Sequence, residues 1–95
     1  MKFDVIKLEQ KSKSTPSIVT HYIELTWQDW IMVSALMSAA YGEGGTIPWS
    51  FQFRFSRPKW YYGSRGPHGM DVNGSNVYFT SEEQITYLTL MTLDL

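Results

Sequence analysis

Ninety-five residues with no cysteine and a net charge of -1 describe one domain with one core, which has neither disulfides nor thiolate metal sites to support it. Hydrophobic residues make up 43%, charged residues 18%, and fifteen residues are aromatic, so apolar area is ample to offset chain ordering and a disordered chain is excluded. The most apolar window, residues 30–41, falls short of the roughly 20 residues that span a bilayer, and the opening "MKFDVIKLEQ" interleaves charge with apolar residues, which reads as soluble, cytoplasmic and without a membrane segment.

In chain order, "KFDVIKLE" predicts an opening strand, followed by the polar loop "QKSKSTP". The β-branched and aromatic content of "SIVTHYIEL" predicts a second strand with Val19, His21, Ile23 and Leu25 on one side. Thr26 with Asp29 three residues on approximates a capping box, and residues 27–41 contain neither proline nor glycine, so a helix is predicted there with Gly42 as its stop. At 100° per residue this helix is apolar almost all round: Trp27, Trp30, Ile31, Ser34, Met37, Ser38 and Tyr41 share one face, and Met32, Val33 and Leu36 lie on the other. A sheet covers only one face, so the second is expected either under the N-terminal segment or in an interface with a partner or another copy.

"GEGGTIP" follows as a loop; because it trails a helix instead of leading into one, it is no phosphate cradle. "WSFQFRFS", residues 49–56, alternates cleanly, with Trp49, Phe51, Phe53 and Phe55 turned toward the core. In "DVNGSNVYF", Asn73-Gly74 predicts a two-residue hairpin turn that opposes Val72 to Ser75, Met70 to Val77 and His68 to Phe79. In the tail, Ser81 with Gln84 repeats the capping-box pattern, whereas the threonines further on favour extended backbone. The expectation is a short helix over 81–88 and a final strand over 89–94. The fold class is then α+β: a mostly antiparallel sheet with one long and one short helix on one face, in the order ββαβββαβ.

Chemistry is sparse. His21 and His68 are the only imidazoles, so neither a metal site nor a cofactor is expected. His68 with Asp71 has acid-base spacing but no nucleophile beside it, and the adjacent Glu82 and Glu83 diverge on a helix, so no catalytic residue is assigned. The charge is uneven, however: residues 51–70 hold Arg54, Arg57, Lys59 and Arg65 with no carboxylate. Within "RPKWYYGSRG", Trp60, Tyr61 and Tyr62 offer flat rigid area, and alternation turns Trp60 and Tyr62 one way and Tyr61 the other, leaving at least one ring exposed. The expected contact surface is therefore Arg54, Arg57, Lys59, Trp60, Tyr61, Tyr62, Arg65 and His68, on a long basic loop over 57–69.

The "TWQDW" helix opening, the "WSFQFRF" strand and "YFTSEEQITYLTL" together resemble small tailed-phage accessory proteins, over roughly residues 25–93. The resemblance is one of element types, and the basic loop departs from it. It implies a non-enzymatic protein that binds a host protein or complex and inhibits or redirects it by steric occlusion, an anti-CRISPR-like inhibitor being one form. Two alternatives stand beside it: single-stranded nucleic-acid binding on the basic patch, and a structural or decoration role in a particle, with a homo-oligomer formed through the helix at 27–41.

Overall fold

The computed structural model describes residues 1–9, 15–47, 58–65 and 71–94. Their elements are β1 (Ile6–Lys7), β2 (His21–Leu25), α1 (Trp27–Tyr41), β3 (Gly45–Thr46), β4 (Trp60–Arg65), β5 (Asp71–Phe79) and α2 (Glu82–Met91). The strands form one sheet in the order β1-β2-β5-β4-β3, antiparallel throughout except for the parallel β3–β4 pair. This is the α+β class that the sequence predicts. The predicted strand over 49–56 lies outside the described residues.

β5 is central because both of its faces find partners. Val77 pairs with Ile23 and Tyr62, Phe79 with His21 and Trp60, and Tyr78 between them with Tyr22 and Tyr61. Paired residues point to the same side of a sheet. Ile23, Leu25, Trp60, Val77 and Phe79 therefore meet Val33 and Met37 of α1 and Leu88 of α2 in the main core. On the face away from the helices, Tyr61 and Tyr78 join Val19 and Ile47 in a second buried cluster. Tyr22 stacks on Tyr78 there at 5.5 Å between ring centroids. Val19 thus belongs to the opposite cluster from Ile23 and Leu25, because it precedes the strand whose alternation would have aligned them.

Three expectations are corrected. Asn73-Gly74 is not a turn: β5 runs through it, and the strand positions beside Phe79, Val77 and Ser75 that the hairpin would have filled are taken by His21 and Trp60, Ile23 and Tyr62, and Leu25. His68 and Met70 lie outside the described residues. Gly74 has φ 135°, and a Cβ there would run into the Leu25 carbonyl oxygen, so this glycine permits a close crossing of two strands instead of a reversal. Residues 60–65 are likewise a sheet strand and not part of a loop; β4 and β5 are the antiparallel pair, with an irregularity between Gly63 and Arg65.

The third correction is at the tail, where α2 continues to Met91 and Thr92 caps it, leaving no final strand. The threonines that argued for a strand turn their hydroxyls back onto the helix: Thr89 Oγ1 donates to the Ile85 carbonyl and Thr92 Oγ1 to that of Leu88, each at 2.8 Å. Burial of Leu88 then favours the helix over β propensity.

Both predicted caps form. The Thr26 hydroxyl accepts from the Asp29 N–H at 3.3 Å, and the Ser81 hydroxyl from the Gln84 N–H at 3.4 Å. Gln84 does more than a capping-box residue. Its Oε1 accepts from the Thr80 N–H at 2.9 Å, and its Nε2 donates to the Lys59 carbonyl at 2.6 Å, so the buried amide ties the start of α2 to the start of β4. Among the described residues no helix is long and apolar enough to cross a membrane.

Candidate binding site

α1 starts one residue after β2 ends, so its first turn stands at the margin of the sheet. Trp27 and Trp30, three residues apart, project from that turn toward β4. Together with Tyr62, Ile47, Thr46, Gly63, Ser64 and Ser75 they line an open cleft of about 260 Å³. Gly63 makes the cleft floor possible: a Cβ there would strike the Ile47 carbonyl oxygen, whereas the bare backbone lets the Ile47 N–H reach the Tyr62 carbonyl at 2.8 Å.

Four rings run in sequence from solvent to core. Trp27, 56% exposed, meets Trp30 edge-on at 6.1 Å and 83°; Trp30 meets Tyr62 at 5.5 Å; Tyr62 meets Trp60 at 5.7 Å. Trp60 is 1% exposed and its indole N–H donates to the Gly42 carbonyl at 2.8 Å. The Trp30 indole nitrogen is buried without a hydrogen-bond partner. Such edge-on and tilted contacts are the favoured arrangements of aromatic pairs and hold the cleft wall rigid.

Among the described residues, the cleft lining carries no carboxylate, imidazole or cation. Its chemistry is that of stacking surface with hydroxyls from Thr46, Ser64 and Ser75, which suits binding by contact and offers no general base. Among the described residues no group of three His, Asp or Glu side chains is placed to hold a metal ion. Three tyrosines have raised pKa values. Burial raises the Tyr78 phenol above its ordinary value, against a lowering hydrogen bond from Asn76 Nδ2. Burial, reinforced by Glu83 and Tyr87, raises Tyr41; burial with Glu24 raises Tyr22.

Of the residues that the sequence put on one contact surface, Trp60 and Tyr61 are core, on opposite faces of the sheet as the alternation predicts. Neither ring protrudes, because β4 lies between β5 and β3 and both its faces are covered. Tyr62 is half-buried and lines the cleft. Lys59 is exposed, and its carbonyl accepts from Thr80 Oγ1 as well as from Gln84. Arg65 stands opposite Asp71 in the β4–β5 register, while Arg54, Arg57 and His68 lie outside the described residues. Trp27 and Trp30 were missing from the expected surface; the signal for them was the unbroken apolarity of their helix.

No protein-family model, curated protein or solved structure matches this chain.

Proposed function

We propose that this protein is a non-enzymatic binding module that holds a partner protein against the Trp27–Trp30–Tyr62 cleft and the adjoining outer face of α1, and acts by occluding that partner. The exposed indole of Trp27 at the rim of a rigid aromatic cleft carries the reading. Covering the exposed half of a tryptophan recovers about 2–3 kcal/mol, and tryptophans in such rims are the residues on which interfaces concentrate their energy. Leaving it in water has no folding rationale, since truncating it opens no core cavity.

Taken with the tailed-phage resemblance, the reading extends to a host protein or complex that is inhibited or redirected, an anti-defence inhibitor being one form. The nucleic-acid alternative needs exposed rings for base stacking, and two of its three, Trp60 and Tyr61, are buried. The test is co-purification from host lysate with the native chain and with Trp27→Ala. The reading expects a stoichiometric partner that the variant loses while it still unfolds cooperatively well above the temperature of the capture. Equal recovery by the two chains removes this surface from consideration.

A further inference from the structure

We infer that the partner element covering the outer helical face is a cationic amphipathic helix. This rests on the binding reading above and names the chemistry of what is bound. Three observations converge on it.

First, most of the large apolar exposure lies on the helices. Among the described residues, Trp27, Ile31, Leu90, Met91 and Leu93 are all about half exposed or more and belong to α1, α2 and the turn after α2, while Ile18 and, less so, Val5 are exposed outside them. On α1 they follow helical spacing, because Trp27, Ile31 and Ala35 recur at every fourth residue and all three are exposed, with Ser38 and Ala39 beside them. The N-terminal segment does not cover this stripe: Met1 and Phe3 pack on the main core and the Met1 ammonium donates to the Thr92 carbonyl at 2.9 Å, yet Ile31 stays 65% exposed.

Second, charge is partitioned. Residues 26–47 and 81–95, which contain both helices, hold five carboxylates (Asp29, Glu43, Glu82, Glu83 and Asp94) and no lysine or arginine. The rest of the chain holds all eight basic residues against four carboxylates. Glu82 and Glu83 are exposed, and α2 lies beside α1, with the Tyr87 hydroxyl donating to the Leu36 carbonyl at 3.3 Å. The two helices themselves carry carboxylates only, the nearest cations being the Met1 ammonium at the end of α2 and Lys59 beside its start, and an apolar stripe on such helices is complementary to apolar side chains flanked by cations. A second copy is the wrong occupant on the same ground, since it would bring carboxylates to carboxylates with no cation from either helix.

Third, a helix face presents no free backbone donors or acceptors. Whatever lies along it must satisfy its own backbone, which a helix does and an added strand does not. The small Ala35, Ser38 and Ala39 between the larger side chains leave room for the ridge of a second helix.

The test uses the full chain and three synthetic peptides followed by calorimetry: an amphipathic leucine-lysine helix, the same helix with glutamate for every lysine, and a scrambled leucine-lysine sequence. The lysine helix is expected to bind one to one, about tenfold or more tighter than either control, and to weaken as salt is added. Ile31→Ala is expected to lower its affinity about tenfold without a change in melting temperature, and Glu82→Lys with Glu83→Lys to lower it severalfold with a small loss of stability, since both carboxylates stand in the first turn of α2. Should Ile31→Ala shift the melting temperature, Leu90→Ala replaces it. Equal binding of the glutamate helix, equal binding of the scramble, or no binding of the lysine helix overturns the inference. So does a concentration-dependent dimer abolished by Ile31→Ala, which would make a second copy the occupant. If Trp27→Ala still loses its lysate partner while the lysine helix fails to bind, only the chemistry named here falls and the binding reading stands.

Discussion

Two stretches of this chain are rich in aromatic residues, "TWQDW" at 26–30 with two and "KWYYG" at 59–63 with three, and they have opposite fates. In the second, Trp60 and Tyr61 are buried on opposite faces of a strand whose neighbours flank it on both sides. In the first, Trp27 is 56% exposed and Trp30 half-buried on a helix that meets the sheet along one side only. Cations near the strand made it look like the contact surface. Packing decides otherwise: β4 has one face under the helices and the other in the cluster of Val19, Ile47 and Tyr78, whereas α1 is covered along one side only, so an apolar helix leaves rings in water.

The largest expected effect falls on the buried member of this comparison. Trp60→Ala should cost about 3–5 kcal/mol through the cavity it leaves, with the Gly42 carbonyl unpaired in addition. A urea midpoint close to that of the native protein would show that the strand is not the core element described. Next is the tie between that strand and α2. Gln84→Leu keeps the volume but strands the Thr80 N–H and leaves the Lys59 carbonyl with the Thr80 hydroxyl alone, and should cost about 1–3 kcal/mol in the same measurement.

Trp27→Ala should cost about 1–2 kcal/mol of stability, well below Trp60→Ala, while weakening partner capture strongly. That split between folding and binding is the sharpest form of the comparison. If Trp27→Ala destabilises as much as Trp60→Ala, the two regions do not differ as proposed.

The smallest effect is invisible at neutral pH. Tyr78 has its pKa raised above the ordinary 10.0, chiefly by burial. The folded state therefore holds the phenolic proton more tightly than the unfolded state, its contribution is complete below about pH 10, and stability falls as pH rises beyond that value. Tyr78→Phe should flatten this alkaline decline in pH-dependent melting. An unchanged slope would shift the responsibility to Tyr22 or Tyr41, which burial also raises.

Local rules in the sequence located α1 in full, since Thr26, the proline-free and glycine-free run and Gly42 each act within a few residues. They also located the Ser81 cap and the alternation of Trp60, Tyr61 and Tyr62. The Asn73-Gly74 hairpin failed because an identical dipeptide serves a turn or a close strand crossing, and only the position of Leu25 distinguishes them. The tail strand failed because threonine can satisfy its hydroxyl on a helix as well as suit a sheet. Of the candidate site, Tyr62 was legible, whereas Trp27 and Trp30 were visible only as an unexplained excess of apolar helix surface.

The sequence by itself determined α1, the start of α2, both caps, the alternation of Trp60, Tyr61 and Tyr62 and the α+β class, because capping and side-chain period are properties of neighbouring residues. Tertiary structure alone decided which aromatic stretch lies inside and which faces water, and that β5 runs unbroken through an apparent turn. Burial and strand pairing depend on what lies opposite in space, and the residues that lie opposite here, Leu25 to Gly74 and Phe79 to Trp60, are far apart along the chain.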